Sequence, residues 1–540
     1  MCFEIRYRDL MGRIGQIETK SGKLQTPALL PVIDPKNMII PPDLMEKEFR
    51  CDAVITNAYI IKRSFYGQAK EEGLHRFLGF SGPIMTDSGA YQLLVYGEVD
   101  VSPEEVIRIQ EEIDTDIGVI LDIPSSLDAS FSDVERGVEQ TIKNAEASQT
   151  QRTRDDILWV GPVQGGLHLD LVRRCAREVG KLDFDIHAIG SVTQLMERYQ
   201  FGKLVDLVMA AKQNLPPHRP VHLFGAGHPM MFSLAVAMGI DTFDSAAYAL
   251  YAREDRYLTP TGTVRLEELK YDVCVCPVCR ENPPSRLMEK PRKEREALLA
   301  RHNLYVSLME IQTIRQAIFE GRLWELLEMR ARSHPSLLEA LRRLGDFSEY
   351  VEIFTPASKP HAIFYCGPET LKRPEVTRHL KKLESFSPDE KTDILLILSE
   401  PGTKPFHKSR EHKLVLEAVK DLPEEQQRRI QVATKSTIFG LIPLELEEVY
   451  PLSQHVNLKP EPVTIKHTSK VIEKFLATHD YRKVIIQLAK EEEKSFEPIR
   501  KICAEKNIEL HTVSVEEEAS PKKCLESLLE VLRKVVRCEE

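Results

Sequence analysis

Between residues 28 and 244 the apolar positions come in short, almost unbroken runs. Each run ends on a polar residue or a glycine and is followed by a longer stretch of mixed, helix-like pattern. The runs are "ALLPVID" (28–34), "AVITNAY" (53–59), "PIMTD" (83–87), "IGVILD" (117–122), "WVGPVQGG" (159–166), "IHAIGS" (186–191), "VHLFGAG" (221–227) and "IDTFD" (240–244). Apolar residues at nearly every position, rather than at alternate ones, mark strands buried on both faces. Their alternation with helical segments predicts a parallel sheet covered by helices. Eight such runs over about 250 residues match a (β/α)8 barrel of the TIM type, with an open doubly wound sheet as the second-ranked architecture. In such a barrel the C-terminal strand ends ring a common mouth, where the chemistry is done. Here that ring is expected to hold Asp87, Asp122, Gln164, Gly190 with Ser191, Gly225 and Asp244. Three carboxylates, an amide and several glycines suit a flat, hydrogen-bonding ligand that the backbone approaches closely. Taken singly, each also reads as a cap or turn residue. In "IMTDSGAYQ" (84–92), for instance, Asp87 or Ser88 is placed to cap the next helix.

After the barrel, "CVCPVC" places Cys274, Cys276 and Cys279 at C-x-C-x-x-C spacing, with Pro277 shaping a tight knuckle. A thiolate trio this close is a zinc signal. Tetrahedral zinc takes a fourth ligand, and His302 in "LLARHNLY", expected on a helix, is the nearest downstream candidate. A site closed by three cysteines and a histidine leaves no position for water, so the metal would be structural. A redox pair is the competing reading, weakened by the third thiol. The clip is bounded at about 270–305. Within it, "RENPPSRLMEKPRKEREALLAR" (280–301) carries more Arg and Lys than Asp and Glu. Such a strip either tracks phosphates or is a solvated helix face, and charge alone favours the second.

Composition narrows the class. At 540 residues, 42% apolar and 29% charged, the chain is expected to be a soluble globular protein of several domains. Its first ten residues, "MCFEIRYRDL", are charged from the fourth onward and do not read as a signal peptide. The ten cysteines are scattered apart from the clip, which fits a reducing, cytoplasmic setting better than a disulfide framework. One stretch, "LFGAGHPMMFSLAVAMGI" (223–240), is apolar enough to test as a membrane span, but its glycines, His228 and Pro229 suit a strand, turn and helix. A net charge of −10 speaks against a uniformly nucleic-acid-binding surface and leaves room for a local basic one. Near residue 340 the texture changes to two stretches that read as small α/β units, 341–460 and 461–540.

The segments "MTDSGAYQLLVYGEVDV", "ILDIPSS", "VQGG", "AIGS", "GIDTFDSAAYALYAREDRYLTPTGT", "CVCPVC" and "RHNLY", in this order over about residues 3–340, resemble the tRNA-guanine transglycosylase family. "YALYAREDRYLTPTGT" and "GPETLKRPEV" (367–376) are similar to its archaeal branch. The resemblance implies a pentosyltransferase that exchanges guanine at position 15 of the tRNA D-arm for 7-cyano-7-deazaguanine, the precursor of archaeosine. It implies no cofactor beyond one structural zinc per subunit, held by Cys274, Cys276, Cys279 and His302. Two carboxylates suffice for such chemistry, one attacking the anomeric carbon to hold the RNA covalently and one moving the proton of the base. Asp87 and Asp244 match the two catalytic aspartates, with Asp244 assigned as nucleophile and Asp87 as acid/base, although the resemblance also admits the reverse. Asp122 would accept from the ring N–H and exocyclic amine, Tyr91 would stack on the base beside Ser88, and Gln164 with Gly165 and the backbone of Ala188, Ile189 and Gly190 would read its remaining edge. Pro124 stands where the bacterial branch has a cysteine, and Ser191 where it has a glycine; both departures favour the archaeal substrate.

Two further classes compete. Archaeosine synthases, paralogues that modify the nitrile, carry a loop that Lys404, Pro405, Phe406, Ser409 and His412 match in its second half, while Ser399 and Glu400 replace its Pro-Cys. Those paralogues typically lose the transglycosylase aspartates, which this chain keeps, so the loop is expected to be a relic or an RNA-contacting surface. A catalytically idle tRNA-binding subunit is the other alternative. No PUA domain is evident before the closing amphipathic helix "CLESLLEVLRKVVRCEE", and a separate chain is the expected supplier. Family precedent points to a homodimer.

Overall fold

The computed structural model describes residues 3–90, 101–457, 459–515 and 521–537. It divides into two compact units, 1–347 and 348–540. The first opens with an antiparallel sheet of β1 (Phe3–Asp9), β2 (Gly12–Thr19) and β3 (Gly22–Gln25). Eight strands follow: β4 (Ala28–Pro31), β5 (Val54–Asn57), β6 (Ile84–Asp87), β7 (Ile117–Val119), β8 (Leu158–Val163), β9 (Ile186–Ile189), β10 (Val221–Leu223) and β11 (Thr242–Ser245). Each coincides with one of the eight apolar runs, β8 starting one residue before its run and β11 ending one residue after. They pair in parallel in the ring order β4-β11-β10-β9-β8-β7-β6-β5, with helices between them.

Among the described residues, the ring closes between β4 and β5 through one bridge, Val32 to Ile55, with Ile33 N–H donating to the Ile55 carbonyl at 2.8 Å. Every other seam is a regular ladder. Leu30, Ile55, Met85, Ile117, Val119, Val160 and Ile186 fill the interior, joined by Phe3, Ile17 and Leu24 of the first sheet. The barrel is thus a packed core open for chemistry only at its other end. Small residues make room for large ones: a Cβ on Gly161 would lie 2.5 Å from the Phe184 ring.

β12 (Arg256–Thr259) and β13 (Gly262–Arg265) form a hairpin. The clip follows and leads into a long helix, Arg292–Glu320. From that helix Arg315 donates to the carbonyls of Pro27 (3.0 Å) and Gln25 (2.5 Å), just before β4, and to Asp52 (2.8 Å), just before β5. The stretch tested as a membrane span runs from the last residue of β10 through a short 3-10 turn (Pro229–Met231) and the helix Phe232–Ala237. No helix among the described residues is long and apolar enough to cross a membrane.

In the second unit a small parallel pair, β14 (Ile363–Phe364) with β18 (His455–Val456), accompanies a five-stranded sheet. That sheet contains β15 (Ile394–Ser399), β16 (Ile430–Ser436), β17 (Gly440–Pro443), β19 (Lys483–Ala489) and β20 (Glu509–Val515), in the order β17-β16-β15-β19-β20. Alternate residues of β15 face opposite layers. Leu395 and Ile397 pack with Ile472, Phe475 and Ile499, whereas Ile394, Leu396 and Leu398 pack with Val415, Leu528 and Leu532. The break expected near 460 is not a domain boundary, because β19 from beyond it pairs with β15 from before it.

Candidate active site

β6 ends on Asp87, and the turn after it shows why small residues follow. Gly89 lies in the left-handed region (φ 89°), and a Cβ there would sit 2.5 Å from Tyr59. Ser88 is buried, its Oγ accepting from Ala90 N–H at 3.3 Å, so it does serve as a local cap. Asp87 does not cap. Its Oδ2 accepts from Asn57 Nδ2 at 2.9 Å, while Asn57 Oδ1 accepts from Ile60 N–H at 3.0 Å and caps the helix after β5. Burial, together with the neighbouring charges of Asp122 and Asp244, pushes the Asp87 carboxyl up to about 7, against the pull of the Gly89 and Ser88 amides.

Asp122, just beyond β7, is buried and raised to about 6 by that burial, partly offset by hydrogen bonds from Gln164 and Ser88. Gln164 Nε2 donates to Asp122 Oδ2, and Gln164 Oε1 accepts from Ser191 Oγ at 2.6 Å. Ser191 adopts a φ of 58° and also accepts from Ser125 N–H at 2.9 Å. A Cβ on Gly190 would strike Gln164 Nε2 at 2.2 Å, so the glycine is needed for the amide to sit there.

Asp244, on β11, is held differently. Its Oδ1 accepts from Gly225 N–H at 2.8 Å and lies 3.1 Å from His222 Nε2; His222 Nδ1 lies 2.9 Å from Thr242 Oγ1. All of these strand ends face one cavity of about 490 Å³, lined by Asn57, Asp87, Asp122, Gln164, Gly190, Ser191, Gly225 and Asp244, with Phe224, Tyr251 and Met230 among its apolar walls.

Of the residues expected around the base, Ala188 and Ile189 are fully buried in β9 and do not reach the cavity, and the Gly190 N–H is committed to the Val163 carbonyl at 3.0 Å. Gly165 turns away to pack on the next helix, where a Cβ would meet Val172 N at 2.5 Å. Tyr91 lies outside the described residues. The strand-end reading missed Asn57 and His222. Asn57 ends β5 as Asp87 ends β6, but its run continues to Tyr59 and hid that position. His222 sits inside a run, where a lone polar residue reads as core.

The clip residues converge: the ligand atoms of Cys274, Cys276, Cys279 and His302 lie within 4.8 Å of one another. His302 Nδ1 is 3.3 Å from Cys279 Sγ and 3.6 Å from Cys276 Sγ, while Nε2 is 3.0 Å from the Leu258 carbonyl. That carbonyl takes the ring proton and leaves Nδ1 as the ligand atom, the outer partner expected of a metal-bound histidine. Three thiolates and an imidazole with no open position suit a structural zinc. Much of the basic strip nearby is engaged in ion pairs, Arg295 with Asp255, Arg301 with Glu48 and Lys290 with Glu294.

In the second unit, Glu400 lies 2.9 Å from His455 Nε2 and 3.1 Å from Lys404 Nζ. Burial raises it, but the His455 hydrogen bond and the His455 and Lys404 charges bring it down to about 2. Ser409 caps the helix Arg410–Lys420, His412 contacts the Ser399 carbonyl at 3.1 Å, and Phe406 is fully buried.

A TIM-type barrel that gathers three carboxylates and an amide at one mouth has the layout of a barrel enzyme, and the thiolate clip stands on separate elements. Residues 9–336 match the queuine tRNA-ribosyltransferase family, and the chain belongs to it; it is a pentosyltransferase of the base-exchange class. Residues 376–532 match a domain family of unknown function. The chain is 46% identical over 464 residues to the tRNA-guanine(15) transglycosylase of Methanocaldococcus jannaschii, covering 84% of this chain and 68% of that one. It is 42% identical over 483 residues to the protein of the same name from Methanococcus aeolicus (88% and 71% covered) and 46% identical to that from Methanobrevibacter smithii (84% and 68%).

Proposed function

We propose that the chain exchanges guanine at position 15 of tRNA for 7-cyano-7-deazaguanine, the first tRNA step of archaeosine synthesis, through a covalent enzyme–RNA intermediate. The observation that carries this reading is the unequal treatment of two carboxylates in one cavity. Asp87, raised to about 7, is poised to gain and lose a proton near neutrality. Asp244 is steadied by the Gly225 N–H and His222 and accepts only, as a nucleophile should. An electron pair of Asp244 forms the bond to C1′ as the C1′–N9 bond breaks, and Asp87 protonates the departing guanine. The incoming base then gives its proton to Asp87 and displaces the Asp244 ester. Asp122 accepts from the donor edge of the base, with Gln164 beside it, and Tyr91 would stack on the base as the family resemblance implies, whereas Ser88 is buried beneath the cavity rather than lining it.

One structural zinc per chain would be held by Cys274, Cys276, Cys279 and His302. The competing synthase reading lacks its thiol, because Glu400 stands in place of that cysteine and pairs with Lys404 and His455. Incubation with tRNA and radiolabelled guanine is expected to place label at position 15, chased by 7-cyano-7-deazaguanine. A protein that shifts tRNA in a gel yet incorporates no label would be an idle binder, and the proposal would fall.

A further inference from the structure

We infer that His222 is a positioning residue that selects which oxygen of Asp244 attacks, an inference that rests on the proposed function above. β10 and β11 run parallel with His222 opposite Thr242, and side chains two apart on a strand share a face. Thr242 and Asp244 therefore flank the fully buried imidazole from one strand. A carboxylate only accepts, so Nε2 carries the proton toward Asp244 Oδ1 (3.1 Å), and Nδ1 is fixed by Thr242 Oγ1 (2.9 Å). The Gly225 N–H donates to the same Oδ1 at 2.8 Å. Both donors thus engage Oδ1, whereas Oδ2 has no protein partner among the described residues and belongs to a side chain lining the cavity.

The consequence is a division of labour within one carboxylate. Oδ2 supplies the electron pair that bonds C1′, and Oδ1 becomes the carbonyl oxygen of the resulting ester. When the incoming base attacks, the C1′–Oδ2 pair returns to Asp244 and the two donors stabilise the carboxylate as it leaves. His222 touches neither base nor sugar and acts through Asp244 alone.

The test compares His222→Phe, which keeps the ring and removes the donor, with His222→Gln, whose amide reaches about as far and still donates. Covalent tRNA adduct is read on denaturing gels in single turnover, alongside KM for tRNA and for guanine. Without the donor the carboxylate is free to turn Oδ2 away from C1′, and this loss of orientation should slow adduct formation about 10- to 100-fold in the Phe variant, with both KM values unchanged, while Gln should restore most of the rate. Adduct formation at the wild-type rate in His222→Phe, a Gln variant as slow as Phe, or a change confined to KM would each overturn the inference. Should the Phe variant not fold, Thr242→Val frees Nδ1 while leaving the ring, and a wild-type rate there overturns it equally. Wild-type protein that incorporates no guanine would instead defeat the proposed function itself.

Discussion

Gln164 can satisfy its surroundings in one orientation only, oxygen to Ser191 and nitrogen to Asp122. Asp122→Asn disturbs this chain at its end. The new amide can keep its oxygen on Gln164 only by turning its nitrogen toward the donors of the base. We expect a loss of about 2–4 kcal/mol, or roughly 30- to 1000-fold in kcat/KM for guanine. Gln164→Glu in the same chain lets that amide donate inward and face its oxygen to the base, so the double variant should recover part of the loss. Unchanged guanine turnover in Asp122→Asn would remove the residue from the pocket.

Asp87 makes a prediction of another kind. Because its folded value is raised to about 7, the folded state binds a proton that the unfolded chain releases near pH 4, and stability declines as pH rises between those values. Asp87→Asn keeps the shape of the protonated acid and lacks that slope. The variant should therefore match wild type in thermal unfolding at pH 4 and exceed it at pH 8, by about 2–4 kcal/mol at full ionisation. Parallel curves across that range would contradict a raised Asp87. At this scale the sequence revealed residues that end strands, since a carboxylate closing an apolar run stands out. It concealed His222, whose partner, Asp244, is brought alongside only by the pairing of two strands.

Among the elements, the clip was legible because its thiols are neighbours in sequence, and His302 followed from one helix. What spacing could not reveal is how the clip is tied to the barrel. His302 contacts the Leu258 carbonyl, the Tyr257 ring stacks on the imidazole at 3.6 Å, and Asn303 Oδ1 accepts from Leu258 N–H at 2.9 Å, so β12 is bound to the helix that carries His302 by three side chains. Cys276→Ser should lose metal and lower the unfolding temperature, with about one zinc per chain found in the wild type by elemental analysis. A folded, active preparation without zinc would refute the clip. Replacing His302 should weaken the metal less than losing a thiolate, since water can take a nitrogen position. In the second unit β15, β19 and β20 were legible in the sequence, whereas β14, β16, β17 and β18 were not. Nor was the unit's integrity, because β19 inserts beside β15 from more than eighty residues away, and pairing at that distance leaves no local mark.

For the molecule as a whole, the rhythm of eight runs was enough to specify a ring, since parallel strands with intervening helices have few ways to close. The rhythm does not say where the ring is weakest. A hoop under load opens at its clasp, and here the clasp is the β4–β5 seam, secured by one bridge near the mouth and by Arg315 at the opposite end. The seam also separates the two aspartates. β11, bearing Asp244, adjoins β4, and β6, bearing Asp87, adjoins β5, whereas Asp122 and Gln164 lie around the rest of the circumference. Slack at the clasp would widen the jaw between the proposed proton donor and nucleophile while sparing the residues proposed to grip the base. Arg315→Met should accordingly speed amide deuterium exchange at Ile33 and lower kcat with KM for guanine retained, so that a cation far from the reacting atoms serves as the gauge block that sets their gap.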